Sequence, residues 1–127
     1  MPSITVRTEV HATEDPEKVR KAIVRLFPDV EFLEEGQELV ARGTDLTTFK
    51  DIIRKMRILD TTRSQLIRGR GEGETSLNIN KQVAYVGKVS FIEEETPLGA
   101  LRVSISSEDV SALIDEIAPK TFGGEEV

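Results

Sequence analysis

Hydrophobic residues recur along this chain with two different periods. Ile4, Val6 and Val10 point one way while Thr5, Arg7, Glu9 and His11 point the other, the period-two pattern of a half-buried strand. Asp15-Pro16 then opens a helix, with aspartate as the cap and proline where its missing N–H costs nothing. Val19, Ala22, Ile23, Leu26 and Phe27 form one apolar stripe and Pro28 stops it, which predicts a helix over 16–27. The short runs Val30–Leu33 and Leu39–Ala41 flank Glu35-Gly36 and read as a hairpin. Thr44 or Asp45 caps a second helix with the stripe Leu46, Phe49, Ile52, Ile53 and Met56. Asp60 caps a third, shorter one that runs through Leu66 and Ile67.

Gly69-Arg70-Gly71-Glu72-Gly73 predicts a flexible loop over about 69–75. Ser76–Asn80 alternates as a strand, and Lys81–Val86 either continues it or forms one helical turn before Gly87. Val89–Ile92 reads as a strand, Glu93-Glu94-Glu95-Thr96-Pro97 as a turn, and Ala100–Ser106 as a strand with Leu101, Val103 and Ile105 facing inward. Ser107 is the expected cap of a last helix with the stripe Val110, Leu113, Ile114 and Ile117, ended by Pro119 and followed by a frayed tail over about 121–127. The order β-α-β-β-α-α-β-β-β-α lacks the regular repeat of a parallel sheet. It predicts one α+β domain over 1–127, an antiparallel or mixed sheet with helices packed on one face.

Composition narrows the chemistry. With 127 residues, of which 38% are hydrophobic and 31% charged, the chain can bury a core of its own. It has no Cys, one His and one Tyr, which removes disulfides, thiolate metal sites and cysteine nucleophiles. No run of apolar residues is long enough to span a membrane and no leader pattern opens the chain, so the expected location is cytoplasmic. His11 with Glu9 two residues away reads as a surface pair. Three consecutive glutamates at 93–95 alternate faces and cannot converge on a cation. The glycines at 69, 71 and 73 lack the spacing of a dinucleotide fingerprint, and no P-loop is present. Neither a cofactor nor a metal nor a catalytic constellation is expected, so an enzyme is the weakest reading.

The net charge of −6 hides a division. Residues 50–70 carry Lys50, Arg54, Lys55, Arg57, Arg63, Arg68 and Arg70 against Asp51 and Asp60, a balance of +5, whereas residues 93–127 balance to −7. One reading is a phosphate-binding edge, because arginine forks onto phosphate oxygens and a Gly-Arg-Gly loop adapts to a backbone. The other is a solvated face whose cations complement helix ends and pair with the acidic termini. Asn80-Lys81-Gln82 either caps backbone at a strand end or reads phosphates and base edges. Tyr85 is the aromatic ring left to stack on a base.

Thr13-Glu14-Asp15, Asp60-Thr61-Thr62-Arg63, Leu77-Asn78-Ile79-Asn80-Lys81-Gln82-Val83-Ala84, Gly87-Lys88-Val89 and Pro97-Leu98-Gly99 resemble the archaeal uncharacterized protein family 0201 over nearly the whole chain. Ala12 and Thr62 depart from its pattern, where proline and alanine are expected. The resemblance implies an archaeal protein with a fold similar to large-subunit ribosomal protein five, in a family grouped with predicted RNA-binding proteins, and it brings no catalytic residues. The leading expectation is therefore a non-catalytic module for structured RNA. Arg54, Lys55, Arg57, Arg63, Arg68 and Arg70 would contact phosphates, and Asn80, Lys81 and Gln82 would add polar contacts. The alternative is a scaffold subunit that docks on an acidic protein partner or on a second copy of itself as a homodimer.

Overall fold

A computed structural model describes residues 2–35, 38–92, 100–122 and 125–126. The expected turn at Gly36, the glutamates at 93–95, the Pro97-Leu98-Gly99 motif and Gly123-Gly124 lie outside the described residues. The elements are β1 (Ser3–Glu9), α1 (Pro16–Leu26), β2 (Glu31–Glu35), β3 (Glu38–Gly43), α2 (Thr47–Lys55), α3 (Leu59–Arg68), β4 (Glu74–Asn80), α4 (Lys81–Tyr85), β5 (Ala100–Ser106), α5 (Val110–Ile117) and a small pair, β6 (Thr121–Phe122) and β7 (Glu125–Glu126). The first five strands form one antiparallel sheet in the order β2-β3-β1-β5-β4.

Register decides what each face of that sheet carries. Thr8 stands beside Leu39, Val6 between Ala41 and Val103, and Ile4 opposite Ile105, while Leu77 extends the row from β4. The apolar side chains of these rows join the buried apolar residues of α1, α2, α3 and α5 in a single core cluster. Val40 and Ala100 are buried but belong to the opposite parity and stay outside that cluster, so the helices cover one face only. Phe27 and Phe49 stack within the core with ring centroids 5.4 Å apart.

Several helix starts sit elsewhere than the sequence suggests. Asp15 caps α1 by accepting from Glu17 N, as expected. The last helix, however, starts at Val110 with Asp109 as its cap, accepting from Ala112 N; Ser107 instead binds Asp109 through its hydroxyl. Asp60 lies inside the first turn of α3 and its carboxylate accepts from the Thr121 hydroxyl rather than from a helix N–H. Residues 89–92 form a single bridge, Ile79 to Phe91, along the outer edge of β4 instead of a full strand. Residues 121–126, expected as a tail, contain the β6–β7 pair.

The 69–75 loop is shorter than expected because β4 begins at Glu74. Gly71 N donates to Glu74 O, Ser107 N to Gly73 O, and the Thr75 hydroxyl to Leu66 O at 2.6 Å. A Cβ on Gly69 would lie 2.2 Å from the Ser76 carbonyl oxygen, so α3 can pass this close to β4 only at glycine. Gly69→Ala is expected to destabilise the fold by about 2 kcal/mol or more, read from urea denaturation. A loss under about 0.5 kcal/mol would show that the contact is not tight.

Candidate nucleic-acid interface

The cations of residues 50–70 do not gather into one patch. Lys50 Nζ lies 3.2 Å from Glu116 Oε1, and Arg63 Nη1 donates to Asp115 Oδ1 at 2.8 Å and to the Ala118 carbonyl at 3.0 Å. Both are struts onto α5. Arg63, expected as a surface phosphate contact, is only 19% exposed at its side chain, because the last turn of α5 lies against α3. Arg54 reaches the Lys50 carbonyl in its own helix, and Arg68 also has a partner. Lys55, Arg57 and Arg70 are exposed and make no ion pair among the described residues. Arg57 precedes and Arg70 follows the ten residues of α3, which separate them by about 15 Å.

Arg57 also has a backbone task. Its N–H donates to Arg54 O and that of Ile58 to Ile53 O, the paired bonds that close a helix in a Schellman turn. The turn needs a left-handed residue, usually glycine, and here Arg57 supplies it with φ of 57°. Keeping a side chain there costs about 1 kcal/mol, and it displays the guanidinium at the α2–α3 corner.

The uncovered sheet face carries arginines that sequence reasoning did not connect. On that face Arg7 stands directly between Val40 and Arg102, with Asn78 beyond Arg102. The next row reads Arg42, Thr5, Ser104 and Ser76. Across β3, β1, β5 and β4 these two rows contain no acid, but Glu31 of β2 stands directly across from Arg42, and Glu9 and Glu38 of the adjoining row share a recess with Arg7 and Arg102. Arg7 is held by Glu38, at 2.8 Å, whereas Arg42 and Arg102 are exposed and make no ion pair among the described residues. Like charges placed directly across two strands disfavour the sheet, so the Arg7–Arg102 pair is a feature that packing alone does not call for. Each arginine is legible as a polar-face residue of its strand. Their meeting depends on the long-range register of β1 with β5.

A third feature joins two of the motifs of the family resemblance, Thr13-Glu14-Asp15 and the segment Leu77–Ala84. Lys81 is 5% exposed, and its ammonium donates to Glu9 O at 2.9 Å and to both Glu14 oxygens at 3.2 Å. Asn80 caps α4 by accepting from Val83 N. Both side chains, expected at an RNA surface, are thus committed to the fold, because the chain turns from strand to helix at this point and buries the lysine beneath α1. Burial raises the Glu14 carboxyl, but the His11 N–H bond and the hydrogen bond and charge of Lys81 outweigh it and hold the carboxyl below its usual range. Among the described residues the carboxylate paired with His11 is Glu14, 3.9 Å from Nε2, rather than Glu9, and Nε2 is buried with no hydrogen-bond partner there. Above this pair a cleft of about 400 Å³ opens, lined by Thr13, Asp15, Lys18, Val19, Gln82 and Tyr85. Among the described residues no group of acidic or histidine side chains could hold a metal ion, and no helix is long and apolar enough to cross a membrane.

A family model described as RNA binding matches residues 3–108. A UPF0201 protein of Thermococcus onnurineus is 37% identical over 95% of this chain and 94% of its own. The chain belongs to the UPF0201 family. A UPF0201 protein of Methanothermobacter thermautotrophicus is 36% identical over 100% of this chain and 98% of its own. This chain spans only 39% of a longer relative, the UPF0200/UPF0201 protein of Archaeoglobus fulgidus, at 40% identity. The crystal structure of a UPF0201 protein from Methanococcus jannaschii matches this fold with a TM-score of 0.90, at 32% identity and 98% of both chains. These UPF0201 proteins are archaeal, and the α+β sheet with helices on one face is the fold that the Methanococcus jannaschii protein shares with this chain.

Proposed function

We propose that this UPF0201 protein binds structured RNA without catalysing a reaction on it, and that the uncovered sheet face lies against phosphates. The observation that carries this reading is the cross-strand arginine group, in which Arg42 and Arg102 are exposed and make no ion pair among the described residues, on a molecule whose net charge is −6. Arginines fork onto phosphate oxygens, and the hydroxyls of Thr5, Ser76 and Ser104 with the Asn78 amide add donors in the same two rows. The band contains no aromatic ring, so it positions a backbone and does not read bases. Lys55, Arg57, Arg70 and Gln82 are exposed and supply outlying contacts for a larger RNA. Asn80, Lys81 and Arg63 have no part in the contact, since the fold uses their polar atoms. The description of the matching family model supports the same ligand class.

Fluorescence anisotropy with a labelled RNA hairpin across a salt series tests this. Arg42→Ala with Arg102→Ala is expected to weaken binding about tenfold and lower the salt slope by about two. Two results would overturn the proposal: no binding by the unaltered protein at about 50 mM salt, or an unchanged slope in the double variant.

A further inference from the structure

We infer that the cleft between the start of α1 and α4 receives one unpaired nucleobase, guanine in preference to the others, from the RNA that the sheet face holds. This inference rests on the RNA-binding reading and adds the base-reading element that the sheet face lacks. The volume, about 400 Å³, falls in the range of small-molecule sites and suits a nucleoside better than a lone phosphate.

The walls divide as a base would require. Tyr85, 37% exposed, and Val19 give an aromatic and an apolar side, Gln82 and Thr13 give neutral hydrogen-bonding groups, and exposed Lys18 stands where a connecting phosphate would pass. At the floor the charges of Lys81 and Glu14 cancel, and at the rim Asp15, whose Oδ1 accepts from Glu17 N, offsets Lys18, so the cleft is polar but neutral and disfavours a bare anion. Glu14 retains acceptor capacity beyond the His11 N–H and Lys81, and its side chain is 27% exposed toward the cleft. An ionised carboxylate can only accept. Guanine is the base that offers two adjacent donors, its ring N–H and amino group, to one carboxylate. On that edge adenine sets one donor beside one acceptor, cytosine one donor beside two acceptors, and uracil one donor between two acceptors. Bases within a duplex are stacked and cannot enter, so the ligand is a looped-out or terminal nucleotide.

Tyr85 makes the inference directly testable, because the chain has one Tyr and no Trp. Its emission reports on this cleft alone. Two hairpins would be titrated, identical except that one carries a single bulged guanosine and the other inosine at that position. Tyrosine emission would be corrected against N-acetyltyrosinamide in the same RNA, and anisotropy measured in parallel. The guanosine hairpin is expected to quench Tyr85 and to bind about tenfold tighter than the inosine one. Tyr85→Ala should erase that difference, and Tyr85→Phe should keep it. Equal affinity for both hairpins with unaltered Tyr85 emission would overturn the cleft assignment and leave the RNA reading in place. Binding of neither hairpin would overturn both.

Discussion

Replacing Phe49 by alanine is expected to destabilise this protein by about 3–5 kcal/mol, enough to lower its melting temperature by roughly 10–20 °C. Phe49 is fully buried in α2 and stacks at 5.4 Å on Phe27, which is itself fully buried and caps the end of α1. Truncation removes the transfer free energy of a ring and leaves a void beneath two helices at once. The remaining ring of Phe27 cannot collapse into that void without unwinding the cap, where Phe27 N bonds Ile23 O at 2.9 Å. Phe49→Leu, which keeps most of the volume, should lose only about 1.5 kcal/mol. Calorimetry on both variants decides it. If the alanine variant lost less than about 1 kcal/mol, the core would be more compliant than its full burial implies.

The second large effect is asymmetric. Glu14→Ala is expected to cost about 3–5 kcal/mol, because it strands the Lys81 ammonium, 6% exposed, with only the Glu9 carbonyl for a partner. Lys81→Met should cost less, about 1–2 kcal/mol, since Glu14 at 27% exposure keeps water and the His11 N–H. The pair also predicts a pH dependence with a definite sign. The folded Glu14 carboxyl titrates below its ordinary value of 4.5, so its contribution is complete above that pH and fades as the pH falls through the folded value. Urea denaturation between about pH 6 and 3 should show this loss, and Lys81→Met should flatten it. Equal destabilisation by the two variants would contradict the pairing described here.

Helices α1, α2 and α5 and strands β1 to β5 were legible because each carries its own period of apolar residues, a property of neighbours in sequence. Caps were less legible. Ser107 and Asp109 both suit a cap, and only the path of β5 into α5 selects the second. Lys81 could not be read as buried, because its carboxylate partner lies in a segment that α4 meets only after folding. The basic stretch misled for a related reason. Residues close in sequence lie on different sides of α3, so Arg63 turns to α5 while Arg57 and Arg70 sit at opposite helix ends. The arginine band has the inverse character, being assembled from three strands distant in sequence and adjacent in the sheet.

The strand order bears on how the chain is made. β1 is made before the other strands of the sheet, yet it occupies the middle and takes β5 as one of its two neighbours. Until synthesis passes Ser106, the nascent protein holds an unpaired edge beside Ile4 and Val6, so the sheet closes only after its last strand, β5, has been made. Such late, distant pairing places its refolding among the slower small domains, on the order of milliseconds to seconds.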